Sequence, residues 1–453
     1  MGEVAFRVIQ YSELERWDVK YFAGRIKSQY PLVSLADFVT EHNEKIRPFD
    51  NPNETFKILG VNNVEGIFHA YDALGKDIKQ PYKKVNAGDF AYNPYRINIG
   101  SIGRVPPEHD GAYISPAYVV FSVNSSVILP EVFWFILKSD FFNQTLRAAT
   151  AGSVRMNLTY PLLETLKIPI PPLPIQQKIV AHWEAAQKSI TAAKARVAEI
   201  EKETQARFLS DLGLPKPKRS APPKCFAATW ESFERWSVSY NQAAMSMIDL
   251  TRGRYPVVEL GSILEMVQYG TSEKANTSEK GTTVLRMNNI KDGYLDYSNL
   301  KHVVLSEKTR ESLLLVDGDI LFNRTNSKEL VGKCAVFHSV DEYVFASYLI
   351  RVRPKPSAAN SDFVAYCINS VIGRQQIDAL SRQIIGQANI NSHELRSLRL
   401  PLPPLNVQKE IMAHIEAGRD EILGQIEIVN KLNSQTQLDI EKMILGIRKM
   451  EEC

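Results

Sequence analysis

Hydrophobic positions in this chain follow two rhythms, and the pair of rhythms occurs twice. From Ile175 the apolar or small positions run Ile175, Ile179, Trp183, Ala186, Ile190, Ala193, Val197 and Ile200. Beyond Ile179 the spacing is 4-3-4-3-4-3, the heptad seam of a helix that packs on another helix. A second run holds Ile411, Ile415, Ile422, Ile426, Val429, Leu432 and, after a polar gap, Met443 and Ile447. Pro174 and Asn406 stand just before the two runs; one suits a helix start by its fixed φ, the other by capping. Two helices of roughly 35 to 45 residues are predicted, about 50 to 65 Å long. Neither seam is wide enough to stand alone, so the two helices are expected to pair as an antiparallel coiled coil.

The stretches before these helices have a shorter period. Runs of β type, such as Phe56–Val61 and Thr282–Met287, are separated by turns at Glu65-Gly66, Asp292-Gly293, Ala87-Gly88-Asp89 and Asp317-Gly318-Asp319. Brief helical patterns follow at Glu131–Lys138 and Asp362–Asn369. This mixture predicts an α+β domain with an irregular sheet, present twice.

Self-comparison explains the doubling. Glu15-Arg16-Trp17-x-Val19-x-Tyr21 returns as Glu234-Arg235-Trp236-x-Val238-x-Tyr240, and Tyr30-Pro31 as Tyr255-Pro256. Asn62-Asn63 returns as Asn288-Asn289, and Gly88-Asp89-Phe90 with Asn93 as Gly318-Asp319-Ile320 with Asn323. Ile168-Pro169-Ile170-Pro171-Pro172-Leu173 returns as Leu400-Pro401-Leu402-Pro403-Pro404-Leu405. The offset only grows, from 219 to 232, so order is kept and the second copy carries a net insertion of 13 residues. The expected organisation is a first domain over 1–165, a strap and long helix over 166–212 and a linker over 213–229. A second domain over 230–397 and a second strap and helix over 398–453 complete it. Within the linker, Leu214–Lys224 has four cations, four prolines and no acid, which predicts an exposed, extended segment.

Composition narrows the function classes. The chain has 453 residues, 44% apolar and 23% charged, the balance of a globular rather than a disordered protein. With 54 basic against 51 acidic residues, the net charge is only +3, so any nucleic-acid contact must use local patches. Cys225, Cys334, Cys367 and Cys453 lie far apart without a C-x-x-C pair, which argues against a zinc site and a disulfide framework. The opening residues lack a basic or apolar leader pattern, and no run reaches 18 apolar residues. A cytoplasmic chain with no membrane partner is expected.

Catalytic signatures are missing from the sequence. No Walker loop, G-x-G-x-x-G, H-E-x-x-H or G-x-S-x-G occurs. Asn93-Pro94-Tyr95 approaches the tetrapeptide with which DNA amino-methyltransferases grip a flipped base, but it lacks the second proline, and the repeat reads Asn323-Arg324-Thr325. His182 and His414 match one another inside the long helices and are expected to pack rather than transfer protons. Trp17 and Trp236 are expected in the core.

The duplicated strap, Ile168–Ile179 with Gln176-Gln177 and Leu400–Ile411 with Gln408, resembles that of type I restriction–modification specificity subunits. The Gly-Asp turns, the Gly152–Asn157 and Gly386–Asn391 loops and the repeat plan agree with that resemblance over essentially the whole chain. It implies a non-catalytic subunit whose two domains each read half of a gapped, bipartite site in double-stranded DNA, with the helices as a ruler. It also implies two methyltransferase subunits as partners, which two translocating restriction subunits can join. S-adenosylmethionine, ATP and Mg would then be bound by those partners, and no cofactor by this chain. The Glu-Arg-Trp-x-Val-x-Tyr entry segment differs from the commoner proline-glycine-tryptophan opening, which keeps a related system with a fused methylase–nuclease partner open. A coiled-coil adaptor for proteins and a self-sufficient endonuclease are the rivals from other classes.

Base edges are read by Arg, Asn, Gln or Ser, and phosphates are met by cations and small polar groups. On that chemistry the candidate DNA-binding residues of the first domain are Asn93, Tyr95, Arg96, Arg104, Arg155 and Asn157. In the second they are Gln268, Tyr269, Thr271, Ser272, Asn323, Arg324, Asn326, Ser327, Lys328, Lys333, Gln387 and Asn389. The repeated Asn62-Asn63 and Asn288-Asn289 are expected to form a structural turn or shared phosphate contact, because base-reading residues should diverge between halves.

Overall fold

The computed structural model describes residues 26–149, 157–217, 236–277, 280–384 and 387–447. The chain forms two compact units, Met1–Ala193 with Glu427–Cys453, and Lys194–Ile426, so each contains one α+β domain and part of both long helices.

In the first unit a four-stranded antiparallel sheet runs in the order Val39–Glu41, Val119–Val123, Phe90–Tyr92, Ile102–Arg104. A five-stranded sheet runs Lys45–Ile46, Tyr82–Lys84, Tyr113–Ile114, Thr55–Val61, Ile67–Leu74. Only the pairing of Thr55–Val61 with Tyr113–Ile114 is parallel there. The helices Pro130–Lys138 and Asp140–Ala149 cover the first sheet through a core rich in phenylalanine. Phe90 stacks on Phe121 at 5.6 Å and meets Phe133 edge-on at 5.2 Å.

The second unit repeats the plan. Its four-stranded sheet runs Leu264–Tyr269, Leu349–Pro354, Ile320–Asn323, Cys334–Val336, under the helices Ser361–Asn369 and Val371–Leu380. A three-stranded sheet, Lys301–Val303, Thr282–Leu285, Tyr343–Phe345, again contains one parallel pairing. The duplication extends to single hydrogen bonds. Gly88 N–H donates to Val105 O and Val105 N–H to Asp89 O; Gly318 and Phe337, and Phe337 and Asp319, repeat them.

The strap is built twice in the same way. Leu32–Ser34 pairs antiparallel with Lys167–Pro169, and Val257–Glu259 with Arg399–Pro401. The chain then enters the helices Leu173–Asp211 and Leu405–Leu445, 39 and 41 residues long. At the first turn of each helix sits a fully buried glutamine. Gln176 Nε2 donates to Pro171 O (2.8 Å) and Val127 O (2.9 Å), while its Oε1 accepts from Leu129 N–H (2.7 Å). Gln408 donates to Pro403 O (2.7 Å) and Ala358 O (3.4 Å) and accepts from Asn360 N–H (2.8 Å). Leu129 and Asn360 are the N-cap residues of the domain helices. One amide therefore joins strap, long helix and domain, and each of its polar atoms is satisfied out of water.

Burial follows the predicted seam of the first long helix: Ile179, Ala186, Ile190, Ala193 and Ile200 are buried, and Trp183 and Val197 half-buried. The second seam differs from the expected one. Ile426 and Ile447 are 43% and 60% exposed. The covered positions are Ile411, Ile415, Gly418, Ile422, Gln425, Val429, Leu432, Thr436, Asp439 and Met443, an unbroken 4-3 repeat that includes polar and small residues. Gly418 is small for a reason: a Cβ there would lie 2.7 Å from Thr204 Oγ1. In this unit Arg196 bonds to Glu421 (2.9 Å) and Arg207 to His414 (3.0 Å). In the first unit His182 faces Asp439 at 3.8 Å. Both matched histidines thus face side chains of the opposite helix.

Two further expectations are settled by contacts. Trp236 is 83% exposed, not core, because the second copy places it outside the packed layers; Trp17 and the linker from 218 onward lie outside the described residues. The Asn-Asn pairs form turns. Asn62 Oδ1 accepts from Val64 and Glu65 N–H, whereas buried Asn289 accepts from Arg286 N–H and donates to Asp296 O.

His338 ties three segments of the second unit: Nδ1 meets Asp317 at 2.8 Å and Nε2 meets Asp362 at 2.9 Å. Burial lowers its pKa, but the hydrogen bonds to Asp362 and Asp317 outweigh that and hold it above the ordinary value. A raised folded pKa stabilises fully below the unfolded value, about 6.5, and the gain fades as pH rises through the folded value. The stability difference between wild type and His338→Gln, followed by urea unfolding, should shrink as pH is raised from 6 toward 9. Removing a strap amide should cost far more. Gln176→Ala or Gln408→Ala leaves a buried donor and two acceptors unpaired, and each should lower unfolding free energy by ~3 kcal/mol in the same assay.

Candidate nucleic-acid interface

Each four-stranded sheet ends in a polar loop at the same place. In the first unit the strand Phe90–Tyr92 runs into residues 93–101, closed by Asn93 N–H to Ser101 O (3.1 Å) and by Gly100 at φ 83°. Leu158 N–H donates to Pro94 O (3.0 Å), and Tyr92 Oη donates to Leu158 O (3.0 Å). In the second unit Asn323 N–H donates to Lys333 O (2.9 Å), Gly332 has φ 85°, and Ile390 N–H donates to Arg324 O (2.9 Å). Pro94 and Arg324 are thus equivalent in backbone and unlike in side chain.

The first loop exposes Tyr95 (61%), Arg96 and Ile99. Asn93 holds its shape, accepting from Tyr95 N–H at 3.0 Å. Arg104 is engaged in an ion pair with Glu131 at 2.7 Å. Burial raises the Glu131 pKa, and its bonds to Arg104 and to its own backbone N–H bring it below the usual carboxylate range. Asn157 is half-buried, and Arg155 lies outside the described residues with most of the Gly152–Asn157 loop. Sequence reasoning missed Lys138, which sits 4.7 Å over the Trp134 ring and donates to Gly100 O at 3.4 Å. Burial lowers its pKa. Its place in an amphipathic helix concealed it.

The second domain gathers more of its candidates. Thr325–Asn326 pairs with Gln387–Asn389, and Thr325 Oγ1 donates to Asn389 Oδ1 (3.0 Å). The Arg324 guanidinium lies 4.9 Å from the Tyr269 ring centroid, and Tyr269 Oη accepts from Ser392 N–H (3.0 Å). Arg324 N–H donates to Tyr348 O (3.0 Å), and Tyr348 is itself 53% exposed. Asn326 Oδ1 accepts from Ser327 N–H (2.8 Å). Ser272 and Lys328 are exposed and Lys333 half-buried.

Three candidates are engaged within the domain. Asn323 is 2% exposed and donates to Leu330 O at 3.2 Å, so it shapes the loop from inside. Thr271 is buried and accepts from Glu273 N–H. Gln268 Oε1 is taken by Arg351, a buried arginine that also donates to Leu314 O (2.6 Å) and Ser312 O (2.8 Å) and sits 3.6 Å from Asp319. Arg351 gave no signal in the sequence, since it stands within the apolar strand Leu349–Pro354. Burial lowers its pKa, against the pull of Asp319.

Groups suited to other chemistry are engaged elsewhere. Cys334 and Cys367 are buried and burial pushes both thiols well up. Among the described residues no three His, Cys, Asp or Glu side chains come together as a metal site, and no helix is long and apolar enough to cross a membrane.

Comparison with known proteins agrees with the duplication. The family model described as "Type I restriction modification DNA specificity domain" matches residues 32–202 and again 254–433. A putative type I restriction enzyme specificity subunit, MjaX, of Methanocaldococcus jannaschii is 30% identical over 183 residues, 39% of this chain and 43% of that protein. The type I restriction enzyme EcoKI specificity subunit of Escherichia coli is 23% identical over 405 residues, 86% of this chain and 82% of that one. A chain from a structural study of complex assembly and conformational transition in a type I restriction–modification system covers 93% of this chain and 99% of itself, with 19% identity and a TM-score of 0.58. It shares the fold. With both halves matched by one model, the chain belongs to the type I restriction–modification DNA specificity family.

Proposed function

We propose that this chain is the sequence-reading, non-catalytic subunit of a type I restriction–modification enzyme, and that each α+β domain reads one half of a bipartite, gapped target in double-stranded DNA. The observation that carries this reading is the equivalent backbone position of Pro94 and Arg324, from which the two loops diverge, Tyr95-Arg96 in a turn and Thr325-Asn326 in a strand. Two copies of one scaffold with divergent loops suit two unlike half-sites. Base reading needs such divergence, whereas a shared structural role would keep the residues alike.

The long helices set the spacing in this proposal, pairing as an antiparallel coiled coil. Support comes from their 4-3 seams and from contacts in the second unit, where positions 196 and 207 meet 421 and 414 in opposite order. At 1.5 Å per residue each helix is about 60 Å long, close to two turns of DNA at about 34 Å each. Two methyltransferase subunits dock on the helices, where Leu423 and Ile426 are 49% and 43% exposed. Two restriction subunits join that complex, and S-adenosylmethionine, ATP and Mg are bound by these partners.

Methylome sequencing tests the reading. Co-expression with the partner methyltransferase should methylate a gapped bipartite motif that the methyltransferase alone leaves unmodified. Exchanging residues 1–165 for those of another member should change one half of the motif and keep the other. No new methylation with a verified active partner would sink the proposal in favour of a protein-binding adaptor.

A further inference from the structure

Arg324 is held unlike the arginines of this unit that are committed to carboxylates. Arg252, Arg310, Arg353 and Arg374 each face a carboxylate within 3.1 Å. Arg324 has no carboxylate in ion-pair reach among the described residues; its guanidinium lies on Tyr269, and its buried Nε lacks an acceptor. The support beneath it is fixed. Arg324 N–H and C=O are bonded to Tyr348 O and Ile390 N–H, and the Tyr269 hydroxyl is pinned by Ser392 N–H. Gly270 lets the strand end come this close, since a Cβ there would meet Phe345 O at 2.3 Å and Ala346 O at 2.4 Å.

A planar cation stacked on an aromatic ring has already lost much of its rotamer freedom and keeps its forked donors free for a planar acceptor pair. In the DNA major groove that pair is guanine O6 and N7. Resting on the function proposed above, we infer that Arg324 reads one guanine in the half-site of the second domain, with Tyr269 as its positioning residue. The first domain has Pro94 at this position and lacks the donor, so this guanine requirement belongs to one half-site only.

The test is the methylome of the assembled methyltransferase carrying wild type, Arg324→Ala or Arg324→Gln. Wild type should require a guanine in the half-site that survives exchange of residues 1–165. Arg324→Ala should lower that preference roughly 10- to 100-fold and leave every other motif position intact. Arg324→Gln should move the preference toward adenine, the base a glutamine amide pairs with, and it carries the test if the alanine variant fails to fold. A half-site without guanine, or an unchanged guanine requirement in Arg324→Gln, overturns the assignment. So does a phosphate contact, visible as uniformly weaker binding across sequences with a salt slope reduced by about one. A wild-type chain that directs no gapped motif would instead overturn the underlying function, a separate result.

Discussion

A glutamine amide enclosed between three chain segments holds each half of this protein together. Gln176 and Gln408 enter the first turns of the long helices, where backbone groups lack helical partners, and reach instead to the strap and to the cap of a domain helix. An aliphatic side chain would fill the same space but leave a buried N–H and two carbonyls without partners. The direction in which a long helix leaves its domain therefore depends on polar contacts, which fix angle more sharply than apolar packing does. Strap strands, domain core and helix seam are each ordinary; the amide makes them one body.

The Gly-Asp turn shows how a common framework accommodates divergence. Asp89 and Asp319 are both buried and accept from equivalent backbone N–H groups, those of Asn86 and Val316. Their basic neighbours differ: the His42 imidazole at 3.1 Å in one domain, the Arg353 guanidinium at 2.6 Å with Arg351 in the other. The second domain thus brings an extra guanidinium into its interior, and that guanidinium occupies the amide oxygen of half-buried Gln268. What the loops can present to a ligand is set in part by what the interior has already consumed.

Legibility in the sequence followed the strength of the local signal. The seam of the first helix was readable because apolar side chains mark each turn. The second was partly misread: Gly418, Gln425, Thr436 and Asp439 occupy covered positions without hydrophobic side chains, and isoleucines at 426 and 447 stand in solvent. Residue type alone could not separate Asn323 from Asn326, since both suit base edges. Which one is buried depends on how the loop folds back on Leu330.

Duplication, the two long helices and family membership were all legible in the one-dimensional pattern, because repeats and heptads are properties of order along the chain. Tertiary structure alone decided the pairing of Arg324 with Tyr269, 55 residues apart, and of Arg351 with Gln268, 83 apart. It also decided that Arg104 would be consumed by Glu131. Such contacts join segments distant in sequence, and burial divides identical residue types into framework and surface. No local propensity encodes that division, since it arises only when the sheets close over their cores.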